Sequence, residues 1–339
     1  MGCDLLARIT KQKAHVALLS VTSNATLVLL KTIIGVIVGS VSMISEAIHS
    51  GVDLLAALIA LFAVQKSAKP ADIRHPFGHG KVENISGTIE AILIFLAAGW
   101  IVFEAVKKLY HPEPLEAVSW GVVVMFLSAV ANVLISQRLF KVSQETGSVA
   151  LEADAWHLRT DVYTSIGVMV GLGTIWAGKW LLPGTNLEWV DPVAAIGVAL
   201  LILKAAYELT IRSARDLLDA SLPVEEEALI REHIKSFSPT VRSFHRFRTR
   251  KSGSDRFVEF HILVDSGMSV NDSHRVTDMM SDAIKEHYPD ATVTIHIEPC
   301  DAACTPWCED DCLLSDEDRR TIRTNHRDWI SPKTEETAD

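Results

Sequence analysis

The chain has few aromatic residues and no excess of positive charge. Aromatic residues make up 7% of its 339 positions, and 32 Lys and Arg face 42 Asp and Glu, for a formal net charge of −10. Nucleic-acid binding needs a basic face, so this balance argues against a nucleic-acid partner. The sequence also has no Gly-x-x-x-x-Gly-Lys-Ser/Thr loop for ATP and no His-Glu-x-x-His pattern of a zinc protease.

Charge is scarce in the first two thirds of the chain, where apolar runs alternate with short polar connectors. Six segments are long enough to cross a bilayer as helices, which takes about 20 residues. They are His15–Gly39, Val41–Val64, Ile85–Val106, Val118–Leu139, Leu151–Trp176 and Asp191–Leu209. We therefore predict an all-α six-helix transmembrane domain over residues 1–211. Lys and Arg flank mainly the amino-terminal arm and the even-numbered connectors, which predicts that both termini are cytoplasmic.

The rest of the chain predicts a small cytoplasmic α/β domain at 212–299 and a polar tail at 300–339. A helix over Val224–Phe237 precedes two strands, HRFRTRKSG and RFVEFHILVD, joined by a Ser-Gly-Ser-Asp turn. An amphipathic helix capped by Asn271 or Asp272 follows, and ATVTIHIEP forms a third strand. From Asp316 onward we expect disorder, apart from a short helix around Arg319–Trp329.

Two His-x-x-x-Asp pairs stand out because ionisable residues inside a membrane are costly and usually mark a path. His49 and Asp53 lie on one face of the second helix, and His157 and Asp161 on one face of the fifth. Together they offer two imidazoles and two carboxylates, a suitable set for a zinc-like ion. The alternative is that each His is an interhelical contact and each Asp pairs with a neighbour such as Arg159.

The second connector, PADIRHPFGHGKVE, holds another compact set of possible ligands. Asp72, His75 and His79 lie within one short loop, where Gly78 and Gly80 let the backbone turn. Two histidines and an aspartate this close can chelate a metal at the membrane surface. The alternative is that the histidines are merely solvated.

These three motifs together resemble the cation diffusion facilitator family of metal–proton antiporters, most specifically in the FGHGK-x-E part of the loop. The resemblance covers about Thr10 to Pro299. It implies a homodimer in the inner (plasma) membrane, each subunit having six transmembrane helices and a cytoplasmic ferredoxin-like, metallochaperone-like domain. Two histidines and two aspartates at the intramembrane site imply zinc as the main cargo, with cadmium, iron, manganese or cobalt as alternatives.

The resemblance also implies a metal site in the cytoplasmic domain, built from histidines and an acid. The matching positions are His245, His261, His274, His296 and Glu298. Glu298 stands where the family often has aspartate, and His261 could instead be a surface or interface histidine. Lys81 and Asp219 would form a charge pair between the domains at the dimer seam; the alternative is two separate surface charges.

Four of the five cysteines depart from the family pattern, because they follow the last strand at four-residue intervals. These are Cys300, Cys304, Cys308 and Cys312. In a reducing cytoplasm, thiols at such spacing favour a metal site for zinc, cadmium or copper(I) over disulfides. The alternative is a set of unconnected thiols, and Cys3 is incidental.

The combined hypothesis is a secondary transporter that exports a divalent metal from the cytoplasm by alternating access. A metal binds only neutral histidine, so protons compete for the same atoms and the proton gradient can drive export. Glu46 and Asn24 could relay protons or sit at polar helix crossings. An intramembrane metalloenzyme and a membrane-anchored metal sensor are the alternatives, and we expect no cofactor beyond the bound divalent metal.

Overall fold

A computed structural model of the chain describes residues 2–38, 41–110, 121–163, 166, 189–300 and 310–330. The chain divides into two compact units. One consists of Met1–Leu218 with Ser252–Ser254, and the other of Asp219–Lys251 with Asp255–Asp339.

The first unit is mainly helical in its described part and contains a helix at each of the six predicted segments. The helices are α1 (Gly2–Val38), α2 (Val41–Ser67), α3 (Lys81–Tyr110), α4 (Gly121–Thr146), α5 (149–163) and α6 (Val190–Leu217). By length and composition, three stretches in the described residues can cross a membrane: Arg8–Ile34, Ser50–Ser67 and Lys81–Lys107. They belong to the first three predicted segments.

Several helices are longer than their apolar segments. α1 begins at Gly2, well before the predicted His15, and α4 continues through polar residues to Thr146. Hydropathy marks only the part suited to hydrocarbon, whereas the helix continues until a residue breaks it. After α4 that residue is Gly147, whose φ of 64° an L side chain rarely adopts.

Packing in the helical unit places small side chains inside and large apolar ones outside. Ala56, Ala57 and Ala60 of α2 are fully buried, whereas Phe62 and Leu96 are more than 60% exposed. Lipid tails are as apolar as leucine, so membrane helices associate through close contact of small residues. The surface therefore suits a lipid environment, as expected of a membrane domain.

The second unit is a three-stranded sheet with helices against it. Its elements are α7 (Val224–Lys235), β1 (Ser243–Ser252), β2 (Asp255–Asp265), α8 (Val270–His287), β3 (Ala291–Cys300) and α9 (Asp316–Ile330). The sheet order is β1-β2-β3, and β2 pairs with β3 in parallel so that His261 lies opposite His296. The α8 crossover joins the parallel strands, which confirms the predicted ferredoxin-like element order.

The sheet buries one face against α7 and α8. Val258, Phe260 and Ile262 alternate along β2 into a core that also contains Ile230 of α7 and Met280 of α8. Residues of opposite parity, including His261, therefore lie on the opposite face.

One local prediction for this unit was wrong. The amino-terminal cap of α8 is Ser269, whose hydroxyl accepts a hydrogen bond from the Asp272 backbone N–H at 3.1 Å; neither Asn271 nor Asp272 is the cap. The start of the tail packs against the sheet: Cys312 pairs with Ser243 in a β-bridge at the edge of β1, and Leu313 packs against the core. The apolar neighbours Leu313 and Leu314 give this stretch surface to bury.

Candidate metal sites

The intramembrane site brings together residues from two helices. The Nε2 atom of His157 on α5 lies 3.1 Å from Oδ1 of Asp53 on α2, and both side chains are buried. The two residues are 104 positions apart in sequence, so the contact comes from helix packing. It places a nitrogen and an oxygen ligand side by side.

Asp161 lies one turn after His157 on α5 and accepts a hydrogen bond from Asn132 of α4 at 3.4 Å. Asn132 is 7% exposed, and the sequence interpretation had missed it because a lone Asn in an apolar helix carries no pattern. Arg159, the alternative partner for Asp161, donates to the Ser136 hydroxyl at 3.2 Å and lies over the Phe140 ring.

The remaining polar residues of this region are only partly described. The backbone of His49 belongs to α2, but its side chain and that of Glu46 lie outside the described part of the structure. Asn24 is buried on α1, and its Nδ2 has no hydrogen-bond partner among the described residues.

The loop site is compact. The Asp72 carboxylate lies 3.2 Å from His75 Nδ1 and 3.4 Å from His79 Nε2, and ligand atoms from the three residues all lie within 4.8 Å of one another. Tetrahedral zinc with bonds of about 2.0–2.2 Å separates its ligands by about 3.4 Å, so the spacing fits such an ion. Hydrogen bonds from the His75 and Arg74 backbone N–H groups also hold the pKa of Asp72 below its usual value.

The cytoplasmic unit gathers histidines around Glu298 on the face of the sheet opposite the core. His261 Nδ1 of β2 lies 2.7 Å from Glu298 Oε1, and His245 Nε2 of β1 lies 3.2 Å from Glu298 Oε2. Ligand atoms of these three residues lie within 4.8 Å of one another. His296 Nε2 is 3.7 Å from Glu298, and its ring centroid is 4.6 Å from that of His261. The predicted residues on the three strands therefore converge.

The pKa values of two residues in this cluster are shifted in the direction that favours cation binding. Burial lowers the pKa of His245 below its usual value; Glu298 opposes this shift, but burial together with His261 and Arg246 exceeds its effect. Burial acts to raise the pKa of Glu298, but the His261 hydrogen bond and the histidine charges hold it below its usual value. Both shifts favour the deprotonated forms, which are the forms that bind metal.

Other predicted site residues lie apart from these clusters. His274 on α8 is exposed and bonds to Asp278 at 3.0 Å. Lys81 donates to the Leu217 carbonyl at 3.3 Å, and Asp219 accepts from Arg250 at 3.4 Å.

The predicted thiolate cluster is described only at its two ends. Cys300 is buried and Cys312 is half-buried, and both are free thiols. Cys304 and Cys308 lie outside the described residues, so the cluster stays a prediction.

Glu83, the last residue of the FGHGK-x-E motif, lies at the centre of a buried polar cluster that the sequence interpretation had missed. Its side chain is fully buried, and Lys13 of α1 forms an ion pair with it at 2.7 Å. The hydroxyls of Ser67, at the end of α2, and Ser148, just before α5, donate to the same carboxylate. Glu83 of α3 thus contacts α1, α2 and the residue that precedes α5, and Lys13, one of the basic residues of the amino-terminal arm, also has a structural role.

Comparison with known proteins relates both units to one family. Residues 17–218 match the cation efflux transmembrane domain, and residues 222–300 match the cytoplasmic domain of cation efflux proteins. An uncharacterized transporter of Synechocystis sp. is 35% identical over 263 residues, which cover 78% of this chain and 83% of that protein. The cation-efflux pump FieF of Pectobacterium atrosepticum is 31% identical over 264 residues, 78% of this chain and 85% of the pump.

Solved structures of related transporters are similar to part of the chain. One of them is the metal-bound C-terminal domain of the CzcD transporter from Thermotoga maritima, 35% identical, covering 22% of this chain and 88% of that one with a TM-score of 0.22.

Proposed function

The chain belongs to the cation efflux family, also called the cation diffusion facilitators, and on that premise we propose that it exports Zn²⁺ from the cytoplasm in exchange for protons. The family is one of transporters, which excludes the metalloenzyme alternative. This chain also contains a set of side chains at which a metal ion and protons would compete for binding.

The contact between His157 and Asp53 carries the proposal. In a buried site between two apolar helices, an imidazole nitrogen and a carboxylate oxygen lie 3.1 Å apart. Either a metal ion or protons can satisfy these atoms, but not both at once, because a metal needs the lone pairs that protons occupy. Binding of one therefore weakens binding of the other, as an antiporter requires.

Asp161 and His49 would complete the four ligands. Asp161 is on the same face of α5 as His157, and His49 is one turn before Asp53 on α2. Two imidazoles and two carboxylates suit zinc, whereas manganese and magnesium favour oxygen-only sites. Asn132 would hold Asp161 in place by its hydrogen bond.

The loop and cytoplasmic clusters would bind resident divalent ions rather than cargo. Their ligand separations suit a zinc-like ion, and in the cytoplasmic cluster the pKa shifts favour the metal-binding forms. Ions held there would stabilise the loop and the sheet and so report cytoplasmic metal concentration. We further propose a homodimer in the inner membrane, with cytoplasmic termini and a Lys81–Asp219 pair at the seam.

Proteoliposomes with an acidic interior test this function. We expect the parent protein to accumulate radioactive zinc, Asp53→Asn and Asp161→Asn to abolish uptake, and Glu145→Gln to leave it unchanged. Glu145 is a suitable control because it lies in the last turn of α4 and is half exposed. Parallel assays with cadmium, iron, manganese and cobalt would rank the alternative cargoes. Equal uptake by parent and both aspartate variants would contradict transport at this site, whereas absence of zinc uptake by the parent protein would favour a sensor.

A further inference from the structure

A second group of buried ionisable residues lies beside the transport site. Glu90 on α3 and Asp154 on α5 are 0% and 1% exposed, in a unit whose surface suits lipid. Asp154 and His157 both lie close enough to Glu90 to interact with it electrostatically, and His157 interacts with Asp154 in the same way. The transport function proposed above uses neither carboxylate.

Several polar atoms of this group have no hydrogen-bond partner among the described residues. They are both carboxylate oxygens of Asp154, Oε2 of Glu90 and Nδ1 of His157. The Ser20 hydroxyl of α1 lies beside Asp154, but its geometry does not meet the criterion for a hydrogen bond. Buried polar atoms are nearly always hydrogen-bonded, and an isolated buried carboxylate is among the most costly groups a protein can hold. Four such atoms on three neighbouring residues point to a ligand that carries positive charge.

His157 connects this group to the transport site because its two ring nitrogens have different surroundings. Nε2 lies against Asp53, whereas Nδ1 is buried and unpartnered in the described structure. On α5, Asp154 is three residues before His157 and Asp161 four residues after, so all three share one face. At about 1.5 Å rise per residue, that row of ligands spans about 10 Å along the helix.

We propose that Glu90, Asp154 and the Nδ1 side of His157 form a second cation position in the membrane domain, which holds the divalent cargo before or after the transport site. The proposal rests on the transport function above and extends it. Ligand atoms of the three residues do not all lie within 4.8 Å of one another, so an ion bound there would reach at least one of them through a water molecule.

Equilibrium binding of radioactive zinc to the full-length purified protein tests this position. Glu90→Gln with Asp154→Asn should bind one ion per protomer fewer than the parent, and Asp53→Asn with Asp161→Asn should also bind one fewer. The fourfold variant should bind two fewer. Glu145→Gln, which removes a half-exposed carboxylate, should match the parent.

Two results would overturn the proposal. One is parental binding by the Glu90→Gln/Asp154→Asn protein; the other is a fourfold variant that binds as many ions as Asp53→Asn/Asp161→Asn. The second would mean that these carboxylates only support the transport site or hold protons. If the double variant does not fold, the number of bound zinc ions is measured with Asp154→Asn alone. Asp154→Glu, which keeps the carboxylate, should bind as many zinc ions as the parent.

Zinc uptake by the parent protein in the same preparation separates the two hypotheses. Absent pH-driven uptake contradicts the transport function whatever the binding counts are. Normal uptake with unchanged binding counts contradicts the second cation position alone.

Discussion

The buried ion pair between Lys13 and Glu83 should contribute more to stability than any exposed pair in the molecule. The two side chains are 7% and 0% exposed, and their charged atoms lie 2.7 Å apart. Removing one partner leaves the other charge buried and unpaired, which costs roughly 3–5 kcal/mol. Lys13→Ala and Glu83→Ala should each destabilise the protein by that amount. Glu83→Ala should be the worse, because Ser67 and Ser148 also lose their acceptor.

A double-mutant cycle separates the interaction energy of the ion pair from the energy lost when each side chain's other contacts are removed. Lys13→Ala/Glu83→Ala should be far less destabilised than the sum of the single variants, because neither charge is left unpaired. The exposed pair of Lys141 and Glu145, 77% and 48% exposed, is the matched control and should contribute about 0–1 kcal/mol. The assay is urea unfolding in detergent micelles, followed by circular dichroism. Single variants within about 1 kcal/mol of the parent, or additive effects, would refute the reasoning.

Two further predictions concern helix packing and the cytoplasmic cluster. Gly87→Ala should destabilise the helical unit by about 1–3 kcal/mol, because its Cβ would lie 2.9 Å from both Ser213 Oγ and Val149 Cγ1. Gly99→Ala on the same helix meets nothing within 4 Å and should be neutral or stabilising in the same unfolding assay; equal effects would contradict the packing. The lowered pKa values of Glu298 and His245 keep both groups deprotonated to lower pH than usual, so the zinc affinity of the cluster should persist to lower pH than that of unshifted groups and fall on further acidification. Zinc-binding isotherms of parent and Glu298→Gln at several pH values measure this dependence of zinc affinity on pH. A loss of zinc affinity as pH rises would contradict the prediction.

Much of the fold could be predicted because it depends on periodicities that the sequence displays. Apolar runs predicted helices in the first unit, and the alternation in RFVEFHILVD predicted β2. The same alternation predicted that His261 shares a face with Glu259, away from the core. Such patterns are local, and each is repeated over enough residues to be recognised.

Other features depend on contacts between distant residues or on single backbone angles. Glu83 meets Lys13 across 70 positions, and no spacing rule links them. In β1, Arg246 has a φ of 50°, and Phe244 and Phe247 on either side of it both pack into the core. Strict alternation would place those two rings on opposite faces, so the sequence pattern alone could not have placed His245 beside Glu298.

The central claim is that metal and protons exchange at the His157–Asp53 site, and simultaneous recording of both fluxes tests it most directly. Proteoliposomes with a trapped pH dye and an acidic lumen would receive external zinc. For the parent protein we predict zinc entry together with a rise in lumenal pH, both abolished by Asp53→Asn and by His157→Ala. Zinc entry without proton movement, or coupled flux that survives both substitutions, would contradict the claim.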